Sequence, residues 1–228
     1  MQPGIRPDHL LTMYIGLPSS RYDSSAVPRF YNELEQRTRN TPGVLNAAVT
    51  SIVPFSGDWD RITVDTGSAR IAEIQNPEGD RYIVSATYFQ TMGIPLLRGR
   101  TFDDSDRSGP PVAVVDEVFA RKVARNGTAL GVPIGAPGRD TAATIIGIVG
   151  HVKHYGLDAE SVGQICATVA LPALRREPAR PYGDAERGRV PHRGCGACCV
   201  AARSTRRCGG PAGDPEWDLV SRPGRVTS

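Results

Sequence analysis

His192, Cys195 and Cys198 follow one another with two residues between each pair, and Cys199 and Cys208 lie close by, a set of ligand types and spacings compatible with zinc. No flanking strand or helix pattern would position these ligands, so the group reads as incidental cysteines. Arg193, Arg203, Arg206 and Arg207 have the charge to contact phosphates, but no aromatic residues are interleaved with them, and a solvated basic tail is the expectation. Asp103, Asp104 and Asp106 offer clustered carboxylates for calcium. The turn glycine and terminal glutamate of a calcium loop do not follow at the right spacing, which leaves an exposed polar loop. His151 and His154 sit at the exit of an apolar strand, three residues apart and so on opposite faces, and read as two surface histidines. Gly147 and Gly150 lie within that apolar stretch rather than ahead of a helix, which argues against a dinucleotide loop. There is no Gly-x-Ser-x-Gly turn. The reading therefore assigns no catalytic, cofactor-binding or metal-binding residue, no enzymatic activity, no cofactor and no nucleic-acid partner.

The elements that would carry these residues follow from periodicity. Residues 9–17 read as a strand ending at Pro18. Val27, Phe30, Tyr31 and Leu34 then recur at helical spacing behind a cap at Ser24 or Ser25, with Pro28 in the first turn and with Glu33–Arg37 and Glu35–Arg39 as i,i+4 pairs. Asn40-Thr41-Pro42-Gly43 ends that helix and Val44–Val53 returns as a strand, completing a βαβ-type unit. Asp58–Ile74 reads as a hairpin with Thr66-Gly67-Ser68 at its tip. A second set runs through the strand 111–115, a helix capped by Asp116 and closed by Asn126-Gly127, and the interior strand 143–149.

Between the two sets lies the densest stretch, residues 82–102. Tyr82-Ile83-Val84 is strand-like, Ser85 is placed to cap a short helix carrying Tyr88, Phe89 and Met92, and Gly93 stops it in a left-handed conformation. Ile94-Pro95-Leu96-Leu97 is then expected to be buried. The run Tyr88-Phe89-x-x-Met92-Gly93-Ile94-Pro95-Leu96-Leu97-x-Gly99-Arg100-x-Phe102 resembles the signature of the MacB-like periplasmic core domain of FtsX-like, ABC-transporter-type permeases. Arg21-Tyr22, Phe30-Tyr31, Pro42-Gly43-Val44, Pro54-x-Ser56-Gly57, Phe119-Ala120-Arg121 and Ile146-Gly147-Ile148-Val149-Gly150 are similar to the same family, with the likeness continuing to Gln164-Ile165. The resemblance implies an α+β domain of two βαβ-like halves on the periplasmic face of the inner membrane. It implies no catalysis, and a role in passing conformational change between membrane helices and periplasmic partners. The partners implied are the transmembrane helices of the same permease, a second permease subunit, a cytoplasmic ATPase acting indirectly and a periplasmic adaptor. A stand-alone soluble module binding in a groove between the halves is the alternative.

Composition divides the chain near residue 165. The formal charge of +3 combines 16 Lys and Arg against 18 Asp and Glu in residues 1–163 with the remaining 11 against 6 after them. All five cysteines fall after residue 165, where Lys, Ile, Phe, Met and Asn are missing and Arg, Gly, Ala and Pro dominate. That is the composition either of GC-rich coding DNA read out of frame or of a disordered tail. The expected division is accordingly a partial periplasmic core domain over 1–165 and a low-complexity tail over 166–228. No run of about 18 apolar residues is present, and residues 1–16 lack the pattern of a signal peptide, so any segment carrying the domain outward is expected to lie elsewhere.

Overall fold

A computed structural model of the chain describes residues 3–18, 20–23, 26–56, 58–66, 77–137, 142–156, 158, 162–168 and 198–204. Its strands are β1 (Leu10–Ile15), β2 (Val44–Thr50), β3 (Arg61–Thr63), β4 (Glu78–Val84), β5 (Leu96–Gly99), β6 (Val112–Asp116), β7 (Pro133–Gly135), β8 (Ala142–Val149), β9 (Gln164–Thr168) and β10 (Cys198–Ser204). Three α-helices, α1 (Ala26–Arg39), α2 (Tyr88–Met92) and α3 (Glu117–Val123), and a 3₁₀ turn at Asp104–Arg107 complete it.

All ten strands join one mixed sheet in the order β1-β10-β2-β4-β9-β6-β8-β5, with β3 paired to β4 and β7 to β8. The α+β class and both βαβ units are present. In the first, β1 and β2 run parallel to each other with β10 antiparallel between them; in the second, β6 and β8 are parallel neighbours around α3. β9 joins the halves, parallel to β4 and antiparallel to β6. Alternation along the central strands makes two cores, one on each face of the sheet. Tyr82, Val84, Val112, Val114 and Cys166 pack with Tyr88, Phe89 and Met92 of α2, while Ala113, Val115, Ile145 and Ile165 pack with Phe119 and Val123 of α3.

Local chemistry explains most element ends. Asp116 Oδ1 accepts the Phe119 N–H at 2.7 Å and caps α3 as expected. At the start of α1, Asp23 Oδ1 takes the Ala26 N–H at 2.8 Å; Ser24 and Ser25 lie outside the described residues. Ser85 does not cap α2. Its hydroxyl accepts the buried Val49 N–H at 3.0 Å instead, tying β2 to the end of β4. Glu33 pairs with Arg37 at 2.6 Å, whereas Glu35 is buried and accepts from the Thr87 hydroxyl at 2.7 Å in place of the expected pairing with Arg39.

The hairpin expected over 58–74 closes further along the chain, because β3 pairs with Glu78–Asp80; Gly67, Ser68 and Ile71 lie outside the described residues. The apolar segment after α2 also departs from expectation. Ile94 is buried, but Leu96 and Leu97, on the edge strand β5, are 45% and 49% exposed. Gly93 adopts φ 70°, ψ 30°, and its N–H and that of Ile94 bond back to Gln90 O and Phe89 O. A Cβ there would stand 2.9 Å from Arg6 Cγ. Gly93→Val is expected to lower stability by more than about 1 kcal/mol through left-handed strain. Equal thermal midpoints for variant and parent would contradict that geometry.

Two stretches beyond residue 165 are strands. The sheet continues through β9 to Thr168 in its interior, and 198–204 form β10 in the middle of the first half. The flanking strands supply the hydrogen-bond ladders of both, and Ile165 and Cys166 of β9 enter the cores on opposite faces.

Candidate functional site

The polar groups that converge do so where β6, β8 and β9 meet α3. Asp116 is fully buried at the end of β6, and its Oδ1 accepts both the Phe119 N–H and the Gln164 N–H, the latter at 2.9 Å. Its Oδ2 meets His151 Nδ1. Gln164 extends the junction by donating from Nε2 to Val152 O at 2.6 Å. One carboxylate therefore clasps the start of α3, the start of β9 and the exit of β8. The surface position expected for His151 is corrected, since its side chain is only 12% exposed.

His154 is buried as well, and its ring stacks on Tyr82 with centroids 4.3 Å apart. The two histidines do face different partners, but the chain after β8 folds back against the sheet instead of leaving it. Val152 enters the core, and Lys153 N–H bonds to Pro3 O at 3.0 Å. Beside His154, the buried Asp80 carboxylate accepts from Arg61 Nε at 3.0 Å and from the Tyr155 hydroxyl at 2.5 Å. Burial, with the bond to Asp80 second, pushes the Tyr155 phenol up.

Burial lowers the His154 imidazole from 6.5 to about 4, with the Asp80 charge opposing the shift and His151 adding to it. In the unfolded chain the ring takes up its proton near pH 6.5, so between about pH 4 and 6.5 the unfolded state binds more protons. The contribution is complete above pH 6.5 and is lost as the pH falls toward 4, for a total on the order of 3 kcal/mol. His154→Phe keeps the stacked ring without the proton site and is expected to flatten the acid limb of the thermal midpoint. An acid limb as steep as the parent's in that variant would refute the assignment.

His151 also lines an open groove of about 570 Å³ together with Arg6, Gln90, Pro95, Leu97 and Glu117. A histidine oriented by a buried carboxylate is two thirds of a hydrolytic triad. The described residues lining the groove include no serine, threonine or cysteine. Asp116 already receives three donors, which makes it a structural anchor.

The remaining candidates resolve differently. Asp103 caps the 3₁₀ turn in a capping box with Asp106, and Arg100 grips Asp106 through both terminal nitrogens at 2.7 and 2.8 Å. That bond to Arg100 holds the Asp106 carboxyl below the usual range. Asp103 and Asp104 are exposed as expected and only Asp106 is buried, so the exposed polar loop is a 3₁₀ turn anchored by one ion pair. Gly147 lies within β8 and Gly150 just after it. Arg203 on β10 donates to three backbone carbonyls, those of Thr91, Asp8 and Arg6, at 3.0, 2.9 and 2.7 Å, and is no part of a free basic patch. Cys198 and Cys199 stand on β10; His192, Arg193, Cys195, Arg206, Arg207 and Cys208 lie outside the described residues. Cys166 is buried in the sheet, and burial raises its thiol far above the ordinary value.

The family model described as the MacB-like periplasmic core domain matches residues 3–177. The chain belongs to this family. The match runs past residue 165, where the resemblance was expected to stop, and takes in all of β9. Among solved structures, the MacB-like domain is similar to the periplasmic region of MacB from Actinobacillus actinomycetemcomitans. The two share 13% identity, with 88% of this chain and 76% of that one covered and a TM-score of 0.51. It is also similar to the extracellular domain of a noncanonic ABC-type transporter, YknZ, from Gram-positive bacteria, with 12% identity, coverage of 86% and 82% and a TM-score of 0.49. A comparison with curated proteins returns no match. Among the described residues of the MacB-like domain, no helix is long and apolar enough to cross a membrane.

Proposed function

We propose that this MacB-like domain relays conformational change between the membrane helices of an FtsX-like, ABC-type permease and the permease's periplasmic partners. It makes no contribution to bond chemistry. In this reading a cytoplasmic ATPase drives the helices of the same permease, and the domain passes their displacement to a second permease subunit and to a periplasmic adaptor. The observation that carries the reading is the placement of β9, which pairs with a strand of each half and so makes one sheet of both. A sheet continuous from edge to edge moves as a unit and passes a displacement at one end to the other with little loss. The Asp116 clasp stiffens that seam by fixing β9 to β6 and α3.

The test uses the intact permease with its ATPase in proteoliposomes. Ala167 lies in β9 opposite Ile83 and Ala113, and Ala167→Pro removes an N–H from the seam. Transport is expected to fall at least tenfold while ATP hydrolysis persists. Transport at the parent rate, with the variant domain folded, would overturn the relay.

A further inference from the structure

The last carbonyls of α2 are all engaged within the protein. Phe89 O accepts the Ile94 N–H, Gln90 O the Gly93 N–H, Met92 O the Arg6 N–H and Thr91 O the Arg203 Nε–H. An arginine beside a helix end ordinarily spends its guanidinium on such carbonyls, and here each already has a donor. Arg6 lies there all the same. A Cβ at Gly93 would stand 2.9 Å from Arg6 Cγ and 3.0 Å from its Cβ and Cδ, so the aliphatic stem crosses directly over the glycine. The side chain is exposed, and among the described residues its guanidinium makes no hydrogen bond or ion pair. A cation pinned by its stem at the rim of a groove, with the nearby backbone acceptors already taken, is placed for an anion from outside the chain.

The groove that Arg6 lines, of about 570 Å³, has the size of a small-molecule site. Its floor is Ile5, Phe89, Ile94, Pro95 and Leu97. The N–H groups of Gly93, Ile94 and Gly150 along it are bonded within the protein, so the floor offers a ligand apolar surface. Of the other polar groups lining it, Glu117 is paired with Arg121 at 3.2 Å and His151 with Asp116, whereas the exposed Gln90 amide makes no hydrogen bond among the described residues. One unpaired guanidinium beside an apolar floor balances a single negative charge carried on an apolar body. A carboxylate matches the planar fork of the guanidinium through two parallel bonds, and a dianionic phosphate would leave one charge uncompensated.

We propose that this groove binds an aliphatic monocarboxylate, with the carboxylate on Arg6 and Gln90 and the hydrocarbon over Ile94, Pro95 and Leu97. Covering Leu97, half exposed on β5, supplies the apolar part of the affinity. The site and the relay rest on different residues, and neither depends on the other.

The experiment titrates the full chain with decanoate, kept below the concentration at which it self-associates, and with decanol and acetate as comparators. Decanoate is expected to bind saturably at one to one, roughly tenfold or more tightly than either comparator. Arg6→Gln is expected to bring decanoate down to the affinity of decanol, and Leu97→Asp to weaken both. Arg6 and Leu97 are exposed, so neither change opens the core. Backbone amide shifts of the parent chain on adding decanoate give a reading that needs no variant. Changes confined to 4–6, 89–97 and 150–151 support the site, and changes spread evenly over the domain overturn it. Binding that does not saturate, decanol binding as tightly as decanoate, acetate matching decanoate as an adventitious ion only, or indifference to Arg6→Gln each overturns it as well.

Discussion

Asp116→Ala is expected to lower the stability of the domain by about 4 kcal/mol, read as a drop in the urea midpoint at unchanged slope. The carboxylate is fully buried, and its loss strands three donors at once: the Phe119 and Gln164 N–H groups and the His151 imidazole. Each buried donor left without an acceptor costs about 1–3 kcal/mol, and the cap of α3 disappears in the same step. Asp116→Asn keeps an acceptor for the two N–H groups and should recover about half of the loss, with the remainder assigned to the pairing with His151. If alanine and asparagine cost the same, the bonds to α3 and β9 are not what the carboxylate contributes.

Gly147→Val is expected to cost about 3 kcal/mol by a different mechanism, pure overlap. A Cβ at Gly147 would stand 2.0 Å from Arg100 O, a backbone atom that no rotamer change can move aside. Facing it on β5, Gly99 has φ 75° and would place its own Cβ 2.2 Å from Ile146 O. The two strands thus approach where both residues lack side chains, and filling that space pushes β5 off the sheet edge. Gly131→Ala is the comparison. That residue also has positive φ, at 79°, but nothing lies within 4 Å of a Cβ there, so only conformational strain of about 1 kcal/mol is expected. Circular dichroism melts of both variants separate overlap from strain, and equal losses would remove the steric account of Gly147.

The elements legible in the sequence are those whose cause is local. Asp116 as a cap, Gly93 as a stop, and the helix through Val27, Phe30, Tyr31 and Leu34 each depend on neighbours within a few residues, and each stands where the sequence places it. What distant partners decide was not legible. Ser85 had the position of a cap, but the buried N–H of Val49 on another strand claims its hydroxyl. Glu35 carries the spacing of a surface pair, yet Thr87, 52 residues away, draws it inward. His151 and His154 look like exposed residues because strand periodicity ends at Val149; nothing nearby announces that the chain turns back to meet Asp116 and Tyr82. Leu96 and Leu97 show the converse, an apolar pair left in solvent on an edge strand. β10 was hidden most completely, since its place is set by pairing with β1 and β2, both distant in the chain.

The position of β10 sets synthesis against assembly. Leu10 pairs with Arg203, so the strand translated first acquires its partner only when the last described strand has left the ribosome. The second βαβ unit, with β6, α3 and β8 in close succession, has its partners at hand much earlier, and contacts of short sequence separation form fastest. The amino-terminal half therefore matures last although it emerges first. Through the interval β1 and the flank of β2 present unpaired edges, which makes them the natural points for a chaperone to engage and for nascent chains to stick to one another.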